Sequence, residues 1–334
     1  MLLDEKNTQS NLNWLLEPED PGVRYLALRD LVKLPAGDAD FILAQQKAYR
    51  DGPIAHVLRY MNPEGYWSKP GPGYSPKYRS TVWALILLAQ LGASAKHDQR
   101  INLACQYIIK HAYSDGGYFS HNGKASRTFD CLQGNLCWAL TALGCTDPRL
   151  SDAFEWMARS VTGEGVAPKT NTEAALRYYD FNCGPVFQCA ANDKLSCAWG
   201  AAKVMLAFSL LAKDQRTAPI QHALQTGVDF FFSVEPTSAN WPYRKEVSKA
   251  WWKFGFPVYY VTDLLQIAEA MVPLGYGSDP RMQSLIELIQ NKADPQGRYK
   301  LEYEYNDKTW ASYGIKGEPN KWVTLRALRV LSAI

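Results

Sequence analysis

Several classes of protein are excluded by what this sequence lacks. It has no apolar run that approaches ~18 residues, so no membrane-spanning segment is expected. It has no basic run and a net charge of only +3, which gives no electrostatic reason to expect nucleic-acid binding. The first residues, MLLDEKNTQSNLNW, are acidic where a secretory signal would be basic and then apolar. The seven cysteines, an odd number, are therefore expected to be reduced thiols of a cytoplasmic protein rather than a disulfide framework.

Aromatic residues are abundant. They make up 13% of the 334 residues, in a chain that is 47% hydrophobic and 21% charged. Such a composition predicts a folded protein with a sizeable core. The aromatic rings can fill a helical core, or they can line a deep apolar cavity.

A short phrase, Asp-x-Arg, recurs four times, beginning at Asp98, Asp147, Asp214 and Asp279. Aspartate is a good N-cap because its carboxylate accepts hydrogen bonds from the free N–H groups of the first helical turn. Apolar residues of helical period follow each phrase. We therefore predict an amphipathic helix after each of the four aspartates.

A second set of helices is apolar around most of its circumference, which is typical of helices buried on all sides. These segments are 81–92, 134–144, 199–212, 262–275 and 321–334. Their alternation with the amphipathic helices predicts an all-α protein that forms one α/α toroid, with inner and outer helices in about six pairs. We expect a single domain over 1–334, in which residues 1–60 form an N-terminal helical segment that closes the ring.

Turns of the form Gly-x-aromatic lie between the helical units, at Gly65-Tyr66-Trp67, Gly117-Tyr118-Phe119 and Gly297-Arg298-Tyr299. With these turns and this helix order, the chain resembles the terpenoid cyclase and protein prenyltransferase superfamily, in particular its squalene cyclase repeat proteins. The resemblance implies a central cavity for an isoprenoid-like or other apolar substrate, and a transferase or a cyclase of the lyase type. The chain departs from that family because it has no Asp-x-Asp-Asp run and no Asp-x-Cys pair.

Four cysteines are candidate metal ligands. Cys131 and Cys197 each begin a Cys-x-x-Gly phrase directly before a buried helix, so both should lie on the same rim of the toroid. Cys183 and Cys189 come from the loop that leads into the second of these helices. Four thiols on one rim would suit tetrahedral zinc, and an iron–sulfur cluster is a less favoured use of the same ligands. Thiols that fill gaps in the core are the alternative.

Aromatic side chains near the same rim are predicted to form the wall of a substrate cavity, where they could stabilise a carbocation. They are Trp251, Trp252, Phe256, Tyr259, Tyr260, Tyr178 and Tyr179. Packing between helices is the alternative for many of these rings. Asp130, Asp180 and Asp263 are candidate proton carriers, and Asp263 could instead stabilise the start of its helix.

Three functions remain open. The first is a zinc-dependent or acid-catalysed enzyme that acts on an isoprenoid-like substrate in the toroid. The second is a non-catalytic toroid that binds a lipid or a peptide and holds a structural metal through its cysteines. A carbohydrate-active barrel comes last, since it would need a pair of carboxylates that the sequence does not clearly provide. The sequence leaves the oligomeric state open.

Overall fold

The computed structural model describes residues 5–125, 128–167, 171, 173 and 183–334. Helices dominate these ranges, and the one sheet found in them is a hairpin of β1 (Tyr113–Ser114) and β2 (Tyr118–Phe119). The α-helices are α1 (Glu5–Leu15), α2 (Pro21–Ala27), α3 (Ala39–Arg50), α4 (Pro53–Arg59), α5 (Thr81–Gln90), α6 (Gln99–Ala112), α7 (Asp130–Ala142), α8 (Arg149–Thr162), α9 (Ala198–Ser209), α10 (Ala218–Phe231), α11 (Leu264–Met271), α12 (Gln283–Asn291) and α13 (Lys321–Leu331). The predicted all-α class is confirmed.

The apolar helices form the inner layer of a closed ring. Along the chain, α5 packs on α7, α7 on α9, α9 on α11, α11 on α13, and α13 on α2. The ring closes where the Tyr25 hydroxyl of α2 donates to the carbonyl of Gly92, just after α5, at 3.5 Å. The predicted toroid is therefore present.

The outer layer consists of helices that each follow an inner helix and pack against it. These contacts join α3 to α2, α6 to α5, α8 to α7, α10 to α9 and α12 to α11. Three of the Asp-x-Arg phrases begin a helix or a 3-10 turn that leads into one. In each of them the aspartate accepts from the arginine N–H two residues later: at 2.9 Å for Asp98, 3.0 Å for Asp147 and 2.9 Å for Asp279.

The prediction of a helix start at Asp214 was wrong. Asp214 lies inside a separate 3-10 turn, Lys213–Gln215, and α10 begins only at Ala218. Thr217 is the N-cap of α10, and its hydroxyl accepts from the N–H of Ile220. Pro219 follows at the first helical turn, where its missing N–H costs nothing. The helix therefore begins at the Thr-x-Pro sequence and not at the Asp-x-Arg phrase.

Helices α7 and α9 approach each other closely because glycine stands at their crossing. A Cβ atom added to Gly134 would lie 2.3 Å from the carbonyl carbon of Lys203. Every other amino acid would therefore push the two helices apart. The crossing brings the N-terminal end of α7 beside the start of α9.

The segment 253–263, which leads into α11, enters the ring and contacts α5. The Gln90 side chain of α5 holds its middle, accepting from the Val258 N–H at 2.7 Å and donating to the Val258 carbonyl at 2.8 Å. These bonds satisfy backbone groups that would otherwise be buried without partners. The middle of the segment is thus fixed to the wall of the ring. Over the described residues, no helix combines the length and the apolar character that a membrane crossing needs.

Candidate functional site

A cavity of about 380 Å³ lies inside the ring, between the inner helices. We call it the central cavity. Each inner helix, or the turn that directly extends it, contributes to its wall, through Arg29, Ile86, Asn135, Leu206, Gln266 and Arg326. Phe256 and Val258 of the entering segment close it on one side. Most of the wall is apolar, as in cavities that hold small apolar ligands.

A buried ion network lies at one side of the central cavity. The Arg326 guanidinium donates to Asp263 at 2.9 and 3.0 Å and to Glu269 at 2.8 and 2.7 Å. Burial lowers the pKa of Arg326, but the carboxylates of Asp263 and Glu269 outweigh it, and the net shift is upward. Arg326 is therefore a fixed cation in the wall.

Asp263 is the N-cap of α11. Besides the two bonds from Arg326, it accepts from the N–H of Gln266 at 2.8 Å and from the N–H of Gly255 at 3.1 Å. A carboxylate that accepts four hydrogen bonds is not placed to donate a proton. The arrangement fits helix stabilisation, the alternative that the sequence left open, and does not fit the predicted role of general acid.

Two arginines share one carboxylate at the edge of the central cavity. Arg29 donates to Asp30 at 2.6 and 3.0 Å, and Arg329 pairs with the same carboxylate. Both arginines line the cavity. Burial lowers the pKa of Arg329, and the neighbouring charge of Arg29 lowers it further, against the effect of Asp30. The charge of Glu269, from the neighbouring network, also raises the pKa of Arg329. The two arginines thus share one directly bonded carboxylate, that of Asp30.

A second cavity, of about 230 Å³, lies at the start of α9, and it shares no lining residue with the central cavity. Cys189 and Cys197 line it together with an aromatic wall of Trp199, Trp241 and Trp251. The ring centroids of Trp241 and Trp251 are 5.1 Å apart, and those of Trp199 and Trp251 are 6.3 Å apart. The structure thus brings together two of the predicted metal ligands and one predicted substrate-binding ring.

The loop that carries the two thiols is tightly held. The buried Asn192 amide donates to the carbonyls of Ser196 at 3.0 Å and Pro242 at 2.9 Å, and its oxygen accepts from the Arg244 N–H at 2.9 Å. The Cys197 N–H donates to the Phe187 carbonyl at 2.9 Å. These hydrogen bonds therefore fix the loop that forms this part of the cavity wall.

The side chains of Cys189 and Cys197 hydrogen-bond to each other. This bond lowers the pKa of Cys197, as do the backbone N–H groups of Gly200 and Trp199, while burial opposes the shift. The same bond and burial raise the pKa of Cys189. Cys197 is therefore the thiol of the pair that more readily becomes a thiolate.

Cys131 and Cys183 are placed differently from this pair. Cys131 lies close enough to interact electrostatically with Cys189, and burial followed by that interaction raises its pKa. Cys183 is fully buried and packs in a small cluster with Tyr118 and Trp156. In the part of the chain that the structure describes, no three His, Cys, Asp or Glu side chains stand where they could hold a metal ion. The thiols therefore do not fit a ready-made metal site, and zinc stays a prediction.

Asp130, the first residue of α7, is only 2% exposed. Neither of its carboxylate oxygens has a hydrogen-bond partner among the described residues. Burial raises its pKa well above the ordinary value for a carboxyl group, and the nearby Cys189 adds to the shift. The environment favours the protonated acid, which is the state that a proton donor needs.

Lys203, on α9, was missed by sequence reasoning. It is fully buried, and its ammonium group donates to the side-chain oxygen of Gln266. Burial lowers its pKa to about 7, although the charge of Asp263 opposes the shift. The available signal was a single lysine in the otherwise apolar stretch WGAAKVMLAFSLLA.

The other predicted aromatic residues divide between the central cavity and the protein core. Phe256 lines the cavity and stacks on Trp322, with ring centroids 4.6 Å apart. Tyr259 and Tyr260 pack against the indole ring of Trp83, with ring centroids 5.5 and 5.2 Å apart. The Trp252 indole N–H donates to a backbone carbonyl at 3.0 Å. The remaining predicted site residues, Tyr178, Tyr179 and Asp180, lie outside the described residues.

No protein-family model matches the chain, and no curated protein matches it. Among solved structures, the chain is similar to the apo form of the type II terpene cyclase MstE from Scytonema. The identity is 15%, the match covers 84% of this chain and 71% of that one, and the TM-score is 0.46. A variant of the same enzyme in complex with geranylgeranyl dihydroxybenzoate matches at 14% identity, over 84% of this chain and 94% of that one, with a TM-score of 0.32. The likeness concerns the fold alone, and the ring described above is established by the contacts of this chain.

Proposed function

We propose that this protein binds an isoprenoid-like amphiphile, with an apolar tail and an anionic head group, in the central cavity. We further propose that it acts on this substrate as an enzyme of the terpene cyclase or prenyltransferase type. The observation that carries the proposal is the central cavity itself, which is lined by the inner helices and has charged groups confined to parts of its wall.

The size and lining of the central cavity support an apolar tail. Its volume of about 380 Å³ falls within the range of roughly 300–1,000 Å³ that is typical of small-molecule sites. Ile86, Leu206 and Val272 present aliphatic surface, and Trp138 and Phe256 present aromatic surface. A branched hydrocarbon chain would gain about 25 cal/mol for each Å² of apolar surface that it buries there.

The arginines at the cavity edge support an anionic head group. Arg29 and Arg329 share the carboxylate of Asp30, and the Arg329 Nε–H has no hydrogen-bond partner among the described residues, so it would donate to an added carboxylate or phosphate. Arginine binds both groups through paired hydrogen bonds. The head group would then lie at the edge while the tail points inward.

Protonation of the substrate is the chemistry that the buried carboxyl group supports. Asp130 is the proposed proton carrier, because it is a partner-free acid that burial favours in the protonated form. Asp180 remains a further proposal, since it lies outside the described residues.

Zinc remains a proposal for the thiols of Cys131, Cys189 and Cys197. They do not form a metal-holding arrangement as the structure describes them, so no step of the reaction is assigned to a metal. Metal analysis of the chain purified without an affinity tag tests the proposal. One zinc per chain that is lost in Cys197→Ala would support it, and a metal-free chain would end it.

Binding measurements with two probes test the central proposal. Geranylgeranyl dihydroxybenzoate provides the anionic head, and geranylgeraniol provides the same tail without the charge. We expect Arg29→Gln and Arg329→Gln to weaken binding of the acid about tenfold or more and to leave binding of the alcohol nearly unchanged. Leu206→Trp, which fills the cavity, should weaken binding of both.

Arg50→Gln is the matched control, because Arg50 lies on the outer helix α3 with its side chain 76% exposed. It should bind both probes like the unmodified chain. The proposal fails if Leu206→Trp binds as tightly as the unmodified chain, or if neither edge arginine affects binding of the acid.

A non-catalytic binding protein is the second candidate. It is favoured by one observation: Asp130 is not among the described residues that line the central cavity. Product analysis by mass spectrometry after incubation with the bound acid separates the two. Turnover that is lost in Asp130→Asn while binding persists supports the enzyme, and tight binding without any product supports the binding protein.

A further inference from the structure

We propose that the ligand of the central cavity carries a carbonyl oxygen within its apolar tail, and that the side-chain amides of Gln266 and Asn135 bind this oxygen. The inference rests on the proposed function, because it places the tail in the central cavity. It goes beyond that function by naming a polar group that the tail itself carries, in addition to the anionic head group at the cavity edge.

The Gln266 amide is oriented so that it offers a hydrogen-bond donor to the cavity. Gln266 lines the central cavity, although the residue is only 5% exposed. Its amide oxygen accepts from the ammonium group of the fully buried Lys203. An ammonium group only donates, so the oxygen faces Lys203 and the amino group faces away from it. The amino group has no acceptor among the described residues, so its N–H groups are free to bind a ligand.

Asn135 supplies a second amide, from the inner helix α7. It also lines the central cavity and is also 5% exposed. Its side chain makes no hydrogen bond to another described residue, whereas the amide of Gln90, in the same wall, bonds to the N–H and the carbonyl of Val258. The wall therefore has two buried amides that the protein itself leaves unsatisfied.

Unsatisfied amides at these positions indicate a ligand with a matching polar group. A buried amide without a partner destabilises a protein, and an aliphatic side chain of similar size would not carry that cost. Because Gln266 presents N–H groups, the ligand atom that meets it must be an acceptor. A carbonyl oxygen accepts two hydrogen bonds and brings no donor of its own, so one amide from each side satisfies it.

The two amides and the two edge arginines belong to different sides of the ring. The inner helices contact one another in the order α5, α7, α9, α11, α13 and α2. Asn135 and Gln266 lie on α7 and α11, the two neighbours of α9. Arg329 lies on α13 and Arg29 directly after α2, on the side opposite α9. The carbonyl group is therefore a second polar group of the ligand, separate from the head group.

The experiment compares two uncharged probes of the same length. Farnesylacetone is an isoprenoid ketone, and the second probe is the hydrocarbon in which a methylene group replaces its carbonyl. Equilibrium binding of both radiolabelled compounds gives, for each variant, the ratio of the dissociation constant of the hydrocarbon to that of the ketone. This ratio cancels effects on the cavity that do not depend on the oxygen.

Two variants remove one donor each. Asn135→Leu breaks no hydrogen bond within the described protein, so it should fold, bind the hydrocarbon at least as tightly and lower the ratio about tenfold. Gln266→Glu keeps an oxygen for Lys203 but replaces the amino group by an acceptor, which opposes the ketone oxygen. It should lower the ratio at least tenfold.

Gln99→Glu is the matched control, because Gln99 is an exposed residue at the start of the outer helix α6. It should leave the ratio unchanged, and so should Arg329→Gln, which concerns only the head group. Circular dichroism confirms that each variant is folded before its binding is compared.

The outcomes separate this inference from the proposed function. If the unmodified chain and Leu206→Trp bind both probes equally, the tail does not occupy the central cavity, and both proposals fall. If Leu206→Trp weakens binding of both probes but neither amide variant lowers the ratio, the cavity holds an apolar tail and only the carbonyl group is overturned.

Discussion

Arg326 on α13 holds Asp263, at the start of α11, through hydrogen bonds of 2.9 and 3.0 Å. Both side chains are almost fully buried, at 5% and 4% exposed. Arg326 also donates to the Gly255 carbonyl at 2.6 Å, which ties the entering segment to the same point. One guanidinium group therefore joins two inner helices and the segment 253–263 that enters the ring.

Arg326→Met should destabilise the protein by about 3–5 kcal/mol, because it leaves the buried carboxylate of Asp263 and the partly buried one of Glu269 without their counter-ion. Chemical unfolding in urea at neutral pH measures the change. Asp263→Asn keeps the shape of the cap but removes its charge, so it should also destabilise the protein. Arg50→Gln, at an exposed pair, should shift the unfolding midpoint very little. An Arg326→Met protein as stable as the unmodified one would show that this network does not hold the ring together.

Gly134→Ala should destabilise the protein through the crossing of α7 and α9. A Cβ atom there would lie 2.3 Å from a backbone carbon of Lys203, so the helices must separate. Overpacking of this kind costs about 1–3 kcal/mol, which exceeds the gain of roughly 1 kcal/mol from replacing a helical glycine. Thermal unfolding measures the result.

Gly37→Ala is the control for this substitution, because a Cβ atom at Gly37 meets nothing within 4 Å. It should leave the unfolding temperature unchanged or raise it slightly. If both alanine variants behave alike, the close approach of the two helices is not required for stability.

The ring could be predicted from sequence because burial alone determines which helices are inner. In α5, nine of ten residues are buried, and an apolar stretch such as TVWALILLAQ has no polar face to turn outward. Helix starts are local, and they were predicted where no competing cap is present. Near Asp214, Thr217 and Pro219 offer a better start a few residues later.

The sites could not be predicted equally well because they depend on where side chains point. The two Cys-x-x-Gly phrases look equivalent, yet Cys131 is the second residue of α7 whereas Cys197 is the N-cap of α9. Only Cys197 lines the second cavity. Trp251 and Phe256 line different cavities. The segment that carries them is irregular, so the direction of each ring could not be predicted from a hydrophobic period.

Lys203→Met should stabilise the protein at neutral pH and change the pH dependence of its stability. Burial lowers the pKa of Lys203 to about 7, so between this value and the ordinary value of about 10.4 the unfolded chain binds more protons than the folded one. The stability of the unmodified protein should therefore rise with pH over this window. Methionine carries no charge, so the unfolding free energy that the variant gains over the unmodified protein should be greatest near pH 7 and should shrink as the pH increases.

Urea unfolding of both proteins at about pH 7 and about pH 9.5 tests this prediction, with about 1.4 kcal/mol expected for each pKa unit that separates the two states. Lys213→Met, on an exposed turn, is the control and should show no such trend. A difference between the Lys203 variant and the unmodified protein that stays constant with pH would mean that the buried ammonium group has an ordinary pKa.

Asp130→Asn should stabilise the protein more at high pH than at low pH. Burial raises the pKa of Asp130 above its ordinary value, so the folded chain retains a proton that the unfolded chain has lost. The contribution of the acid to stability is complete below the unfolded pKa of about 3.9 and is lost as the pH rises through the folded pKa. Asparagine does not ionise, so the stability of the variant relative to the unmodified protein should increase between about pH 5 and about pH 8.

Unfolding free energies of both proteins at these two pH values test the prediction, and Asp40→Asn, at an exposed carboxyl group of α3, provides the control. A proton held by Asp130 in the folded state at neutral pH is what the proposed acid catalysis requires. If the Asp130 variant gains no more at high pH than the control does, the carboxyl group is ionised in the folded protein. Asp130 could not then be the proton donor, and the non-catalytic binding protein would be the better account of the ring and its cavity.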